Sequence, residues 1–171
     1  MWHHIALSTL VMASYVVVIG DPFGAFVVTS ASYFDSPWWV GLPPESARLV
    51  TALQLPAAAG CVYWYLYVAR QDLMAGYLDA GVSLFLIASA LWPWFSYHAL
   101  TREAASWWWA AGSVASLGVA ALCFAGFVGA SFAMRIPPLP LLSVLWAGMI
   151  VVLADGVGWS SALLARRAEA G

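Results

Sequence analysis

A few side chains in this chain are of types that can do chemistry. The first is Asp155, in Val151-Val-Leu-Ala-Asp-Gly-Val-Gly-Trp159. A carboxyl group inside an apolar run is expensive, so it is expected to face a bundle interior or a wet cavity and to have a partner. It reads as a polar anchor for a ligand, as a proton acceptor, or as a residue that hydrogen-bonds a neighbouring helix. The second is His98, which closes Ala90-Leu-Trp-Pro-Trp-Phe-Ser-Tyr-His98, where four aromatic rings and a proline precede the imidazole. A transmembrane haem iron usually takes two axial groups. The other histidines, His3 and His4, stand at the N-terminus and read as an interfacial anchor. Asp79 lies near a span start, which suits a solvated or capping carboxylate. Cys61 and Cys123 sit in apolar runs without CxxC or Cys/His spacing, so they read as buried thiols rather than a disulfide or zinc site. The chain has no Gly-rich phosphate loop, no Ser/His/Asp triad and no paired carboxylates, and hence no strong enzymatic signature.

The elements that position these groups follow from composition. Of 171 residues, 64% are hydrophobic and 8% charged, against about 25% charged in soluble domains. With a mean hydropathy of +0.87, such a chain cannot cover a globular surface with polar groups, so an integral membrane protein is expected. There is no lysine, the net charge is −2, and no basic cluster exists, which argues against nucleic acid as a partner. Eleven tryptophans are more than core filling needs, because each indole N–H seeks an acceptor.

A spanning helix needs about 20 mainly apolar residues. That rule predicts an all-α bundle of five transmembrane helices in one domain, with spans near 5–29, 47–69, 73–97, 104–133 and 141–165. Asp21-Pro22 is expected to break or end the first span. A Trp/Pro-rich loop over 30–46 could lie across the membrane surface as a lid. Pro56 and Pro93 predict kinks, and Thr101 is a plausible N-cap for span four. Gly112, Ser116, Gly126 and Ala130 offer small faces on span four for close helix packing. Arg48, Arg102, Arg166 and Arg167 fall on one side, and Arg70 and Arg135 on the other. Positive-inside logic then places the C-terminus and the long first loop in the cytoplasm.

Three stretches bear a family resemblance. Pro37-Trp-Trp-Val-Gly-Leu-Pro-Pro44 is similar to the Pro-x-Trp-x-Pro-Pro first loop of the translocator protein / tryptophan-rich sensory protein (TspO/MBR) family, with two extra residues. Ser89-Ala-Leu-Trp-Pro-Trp-Phe95 resembles the end of its third span, with Ser89 in place of Asn and the Phe pair reduced to Phe95 and Tyr97 around Ser96. In span five, aligning Trp159 with the family's terminal Trp puts Asp155 at an Asn position and Val151 at a ligand-contacting Ala. The chain departs from the family in lacking the span-three Asn and the C-terminal cholesterol-motif Tyr. A generic cholesterol pattern occurs instead over Val62, Tyr65 and Arg70.

The resemblance implies a membrane binding or sensory protein whose helices enclose a cavity for a flat apolar ligand, a porphyrin or a sterol. Trp38, Trp39, Pro43 and Pro44 would form its lid. Trp92, Phe95, Trp146, Val151, Asp155 and Trp159 would line the pocket. No cofactor is required, a tetrapyrrole is one of the ligands implied, the partners are membrane lipid and the small molecule, and a homodimer is implied. The membrane would be a bacterial envelope membrane or the mitochondrial outer membrane, and porphyrin breakdown enters only through the resemblance. Two other classes stand beside this one. An accessory subunit of a respiratory or photosynthetic complex would have a filled bundle, and an enzyme or transporter would need Asp155 and His98 to converge.

Overall fold

The computed structural model describes residues 2–20, 37–39, 42–74, 76–101 and 107–170. Among these the chain is helical, with no strand. Helix α1 (Trp2–Gly20) is followed by a 3-10 turn at Pro37–Trp39, then α2 (Pro44–Arg70), α3 (Tyr77–Thr101) and α4 (Trp107–Ala133). The last helix is continuous but composite. Helix α5 (Pro138–Ile150) passes into a π-helical segment (Val151–Trp159) and then α6 (Ser160–Ala170). Four stretches are long and apolar enough to cross a membrane: Pro44–Arg70, Tyr77–Leu100, Trp107–Ala133 and Pro138–Arg166. Trp2–Val18 is a fifth apolar helix of shorter length. The expected continuation of span one through Phe23–Thr29 lies outside the described residues, as do Ser30–Ser36 of the loop and Arg102–Ser106 at the turn before α4.

Helix boundaries differ from the hydropathy reading where prolines are involved. Pro44 and Pro138 occupy the first turns of α2 and α5 rather than the turns before them. A first-turn N–H has no intrahelical partner in any case, so proline costs nothing there. Both helices therefore start three residues earlier than the apolar runs. At the other end of its span, α3 runs through His98 to Thr101, and helical hydrogen bonding continues past Pro56 in α2 and Pro93 in α3.

Two short connections use the same C-terminal device. Leu73 N–H reaches the Val68 carbonyl, and Ile136 N–H the Ser131 carbonyl, each across a left-handed residue, Asp72 (φ 53°) or Arg135 (φ 52°). This satisfies end carbonyls and folds an apolar side chain back onto the bundle.

Around the bundle the order is α1, α3, α4, α5, α2. Helices α1 and α3 run one way, since His4 meets Asp79 while Tyr15 meets Trp92, and the last helix runs with them, since Val144 clusters with Leu78 while Trp159 meets Trp92. Helices α2 and α4 run the other way. Small residues permit the closest approaches. A Cβ on Gly60 of α2 would sit 3.0 Å from the Ser143 carbonyl of α5, and one on Gly112 of α4 would sit 2.6 Å from the Phe95 ring. Of the small residues on α4, Ser116 and Ala130 are also buried, whereas Gly126 faces open space. The bundle has two packed centres. One groups Trp64, Val68, Leu78, Phe124, Phe127 and Val144, and the other groups Trp38, Trp39, Trp92, Leu117, Trp159 and Leu163 at the first-loop end.

Candidate functional site

Between these two centres lies a cavity of about 340 Å³. Its walls come from α1 (Tyr15), the 3-10 turn (Trp38, Trp39), α2 (Thr51, Gln54, Cys61), α3 (Phe85, Trp92), α4 (Phe124) and the α5–π stretch (Ile150, Val151, Asp155, Trp159). The volume lies toward the small end of the roughly 300–1,000 Å³ spanned by small-molecule sites.

Three indoles form the end nearest the first loop. Trp38 meets Trp92 edge-on at 5.3 Å between centroids, Trp92 meets Trp159 edge-on at 5.4 Å, and Trp38 lies 6.3 Å from Trp159. Edge-to-face geometry is what ring quadrupoles favour. The Trp159 indole N–H donates to the Trp38 carbonyl at 2.9 Å, so the turn is tied to the last helix across 121 residues of sequence. Pro43 and Pro44 do not line the cavity. They start α2 immediately after the turn, with Leu42 N–H bonded to the Trp39 carbonyl and Ala47 N–H to the Pro43 carbonyl.

The polar feature of the wall is a pair. The Gln54 side-chain amide donates to Asp155 Oδ1 at 2.8 Å. Asp155 therefore has the interhelical partner that its depth demands, supplied by α2. Its backbone is unusual too. Asp155 is central to the π-helical segment, where the Ser160 N–H and hydroxyl both reach the Asp155 carbonyl, five residues back. Gly156 and Gly158 lie within this segment, where a Cβ would approach the carbonyl of Val151 at 3.2 Å or of Leu153 at 3.3 Å, respectively. A π turn widens the helix and shifts the following side chains around its axis, a geometry often found at functional sites. Val151, Asp155 and Trp159, spaced four residues apart along it, all line the one cavity.

The structure thus brings Trp38, Trp39, Trp92, Val151, Asp155 and Trp159 together, and places the other candidates elsewhere. Phe95 packs against Gly112 and lies 6.0 Å from Trp109, between α3 and α4. Trp146 packs against the other core, with an indole nitrogen that is buried and lacks an acceptor among the described residues. His98 is buried among Trp94, Tyr97 and Trp109 and is not on the cavity wall. Asp155 and His98 therefore do not form one site. Sequence reasoning missed Gln54, Tyr15 and Phe85. Gln54 was the one with a visible signal, an amide in the middle of an apolar helix. No family model, curated protein or solved structure matches this chain.

Proposed function

We propose that this chain is a membrane binding or sensory protein for a flat apolar ligand, a porphyrin or sterol-like molecule, held among the tryptophans beneath the first loop. The observation that carries the reading is the cavity wall itself: Trp38, Trp92 and Trp159 at one end and the hydrogen-bonded pair Gln54–Asp155 at its side. Indoles offer faces and edges to a planar ring system, and one polar pair can fix its orientation without filling the site with water. This is also the arrangement that the TspO/MBR resemblance implies. On the same reading, the first-loop side and the C-terminus face the cytoplasm and the protein works as a homodimer.

The test is titration of the detergent-solubilised protein with protoporphyrin IX, followed by tryptophan fluorescence. Saturable quenching is expected, weakened at least about fivefold in Trp92→Ala and Asp155→Leu variants that keep their helicity. Linear, non-saturable quenching that neither substitution changes would overturn the reading in favour of an accessory subunit with a filled core.

A further inference from the structure

At the opposite end of the bundle from the indole cluster, three side chains far apart in sequence converge. His3 and His4 open α1, and Asp79 lies in the first turn of α3. His3 Nε2 is 3.3 Å from Asp79 Oδ2, and His4 Nε2 is 3.5 Å from Asp79 Oδ1. The three donor atoms all lie within 4.8 Å of one another. We propose that His3, His4 and Asp79 form a binding site for a divalent first-row transition ion of the zinc class, joining the start of α1 to the start of α3.

The case rests on what surrounds His4, which is only 3% exposed. Its Nδ1 is 3.0 Å from the Tyr65 hydroxyl of α2. Its Nε2 faces three oxygens: the Ser83 hydroxyl at 3.2 Å, the Asp79 carbonyl at 3.3 Å and the Asp79 carboxylate. The Ser83 hydroxyl proton is already committed to the Asp79 carbonyl, at 2.9 Å. Nε2 therefore points at acceptors alone, and a proton or a metal ion must lie between them. His3 tips the balance toward the metal. Its ring centroid is 4.1 Å from that of His4, and the two imidazoles take one carboxylate oxygen each. Two neutral rings would each donate an Nε2–H and leave the carboxylate charge uncompensated, whereas one divalent ion takes both nitrogens and balances that charge.

The distances suit such an ion. Ligand bonds of about 2.0–2.1 Å in a tetrahedral site place donors roughly 3.3 Å apart, close to the separation of each histidine from its own carboxylate oxygen, and a small rotation of the carboxylate brings one oxygen to both. Two imidazoles and a carboxylate are donors for zinc and its neighbours rather than for magnesium or calcium, which prefer all-oxygen shells. Tyr65 supplies the outer contact that orients a metal-binding imidazole. Three protein donors leave a fourth position for water or another ligand. His3 and Asp79 are half-exposed, so the ion can enter from the membrane surface. His4 also lines a second cavity, of about 110 Å³, bounded by α1, α2, α3 and α4. The metal site stands on geometry separate from the Trp-walled cavity and does not depend on what that cavity holds.

The experiment uses the full chain, tag-free in detergent and stripped with chelator, titrated with Co2+ and then Zn2+. One equivalent of Co2+ is expected to give the visible absorption bands of a low-coordinate ion, and one equivalent of Zn2+ to bleach them. Zn2+ should also raise the melting temperature. His3→Ala and Asp79→Asn, both at half-exposed positions that leave the apolar packing intact, should weaken binding more than tenfold and abolish the thermal shift. Tyr65→Phe should weaken it about tenfold to a hundredfold while leaving the bands in place. Absence of bands in the wild-type chain, or bands of equal affinity in His3→Ala and Asp79→Asn, would overturn the proposal and leave a proton-bridged His–Asp cluster.

Discussion

Asp155 shows what a single residue can and cannot declare. Its depth in an apolar run was enough to predict a partner, but Gln54 lies 101 residues away on a helix running in the opposite direction. Which α2 residue comes level with Asp155 depends on the α2–α5 register, which is set by the approach of Gly60 to Ser143 and has no local signature. The pair makes a quantitative prediction. Interhelical hydrogen bonds in membranes average about 0.6 kcal/mol and reach about 1.7, so Gln54→Leu should destabilise the folded protein by about 1 kcal/mol. Adding Asp155→Leu to Gln54→Leu should cost less than the sum of the two single changes, because no carboxyl group is then left without a partner. Unfolding titrations of the four proteins measure this, and strict additivity would mean that the bond contributes nothing. Trp64 offers a second case. Its indole N–H donates to the Ser131 hydroxyl at 2.8 Å in a fully buried position. Ser131→Ala should therefore cost about 1–3 kcal/mol by stranding that donor, whereas Ser143→Ala, whose hydroxyl bonds only its own helix at Leu139, should be nearly neutral in the same assay.

At the scale of elements, hydropathy located the four long apolar helices and the shorter α1 among the described residues, because crossing a bilayer demands a length of apolar residues that little else in a chain imitates. It could not locate the helix starts, since proline reads as a breaker unless its first-turn position is known. It also could not foresee the π segment. The signal there was the pair Gly156 and Gly158, but glycine in an apolar helix equally suits close packing. The distinction has a measurable consequence. An added methyl at Gly156 meets the Val151 carbonyl at 3.2 Å, and alanine favours regular α-helix over glycine by about 1 kcal/mol. Gly156→Ala should shift this stretch toward α geometry and turn Asp155 away from Gln54. Ligand affinity should then fall while thermal stability holds or rises. A parallel loss of both would indicate simple crowding. The left-handed cap after α4 gives an independent check: Arg135, at φ 52° and exposed, should tolerate Arg135→Gly with a gain of up to about 1 kcal/mol, since glycine adopts that backbone without a Cβ penalty.

The whole molecule has two ends with different chemistry, and only topology reveals it. The parallel run of α1, α3 and α5 puts the indole cluster at the first-loop end, while the same parallel run puts His3 and His4 beside Asp79 at the other. From sequence alone those histidines read as an anchor and that carboxylate as solvated, because nothing local links residues 75 positions apart. Charge then bears on which end faces which compartment. Arg48 and Arg166 stand at the indole end and Arg70 and Arg135 at the histidine end. Counted along the sequence, Arg102 and Arg167 fall on the same side of the spans as Arg48 and Arg166, four of the six cations, and the proposed orientation, with the indole end toward the cytoplasm, rests on the positive-inside tendency. A C-terminal fluorescent-protein fusion in a bacterial host should therefore fluoresce, and a C-terminal alkaline phosphatase fusion should be inactive. The margin rests on few charges, so Arg166→Ala with Arg167→Ala should measurably raise the fraction of inverted chains. Phosphatase activity in the unmutated fusion would reverse the assignment. The tryptophan cavity would then draw its ligand from outside the cell, and the His3–His4–Asp79 site would meet the metal pool of the cytoplasm.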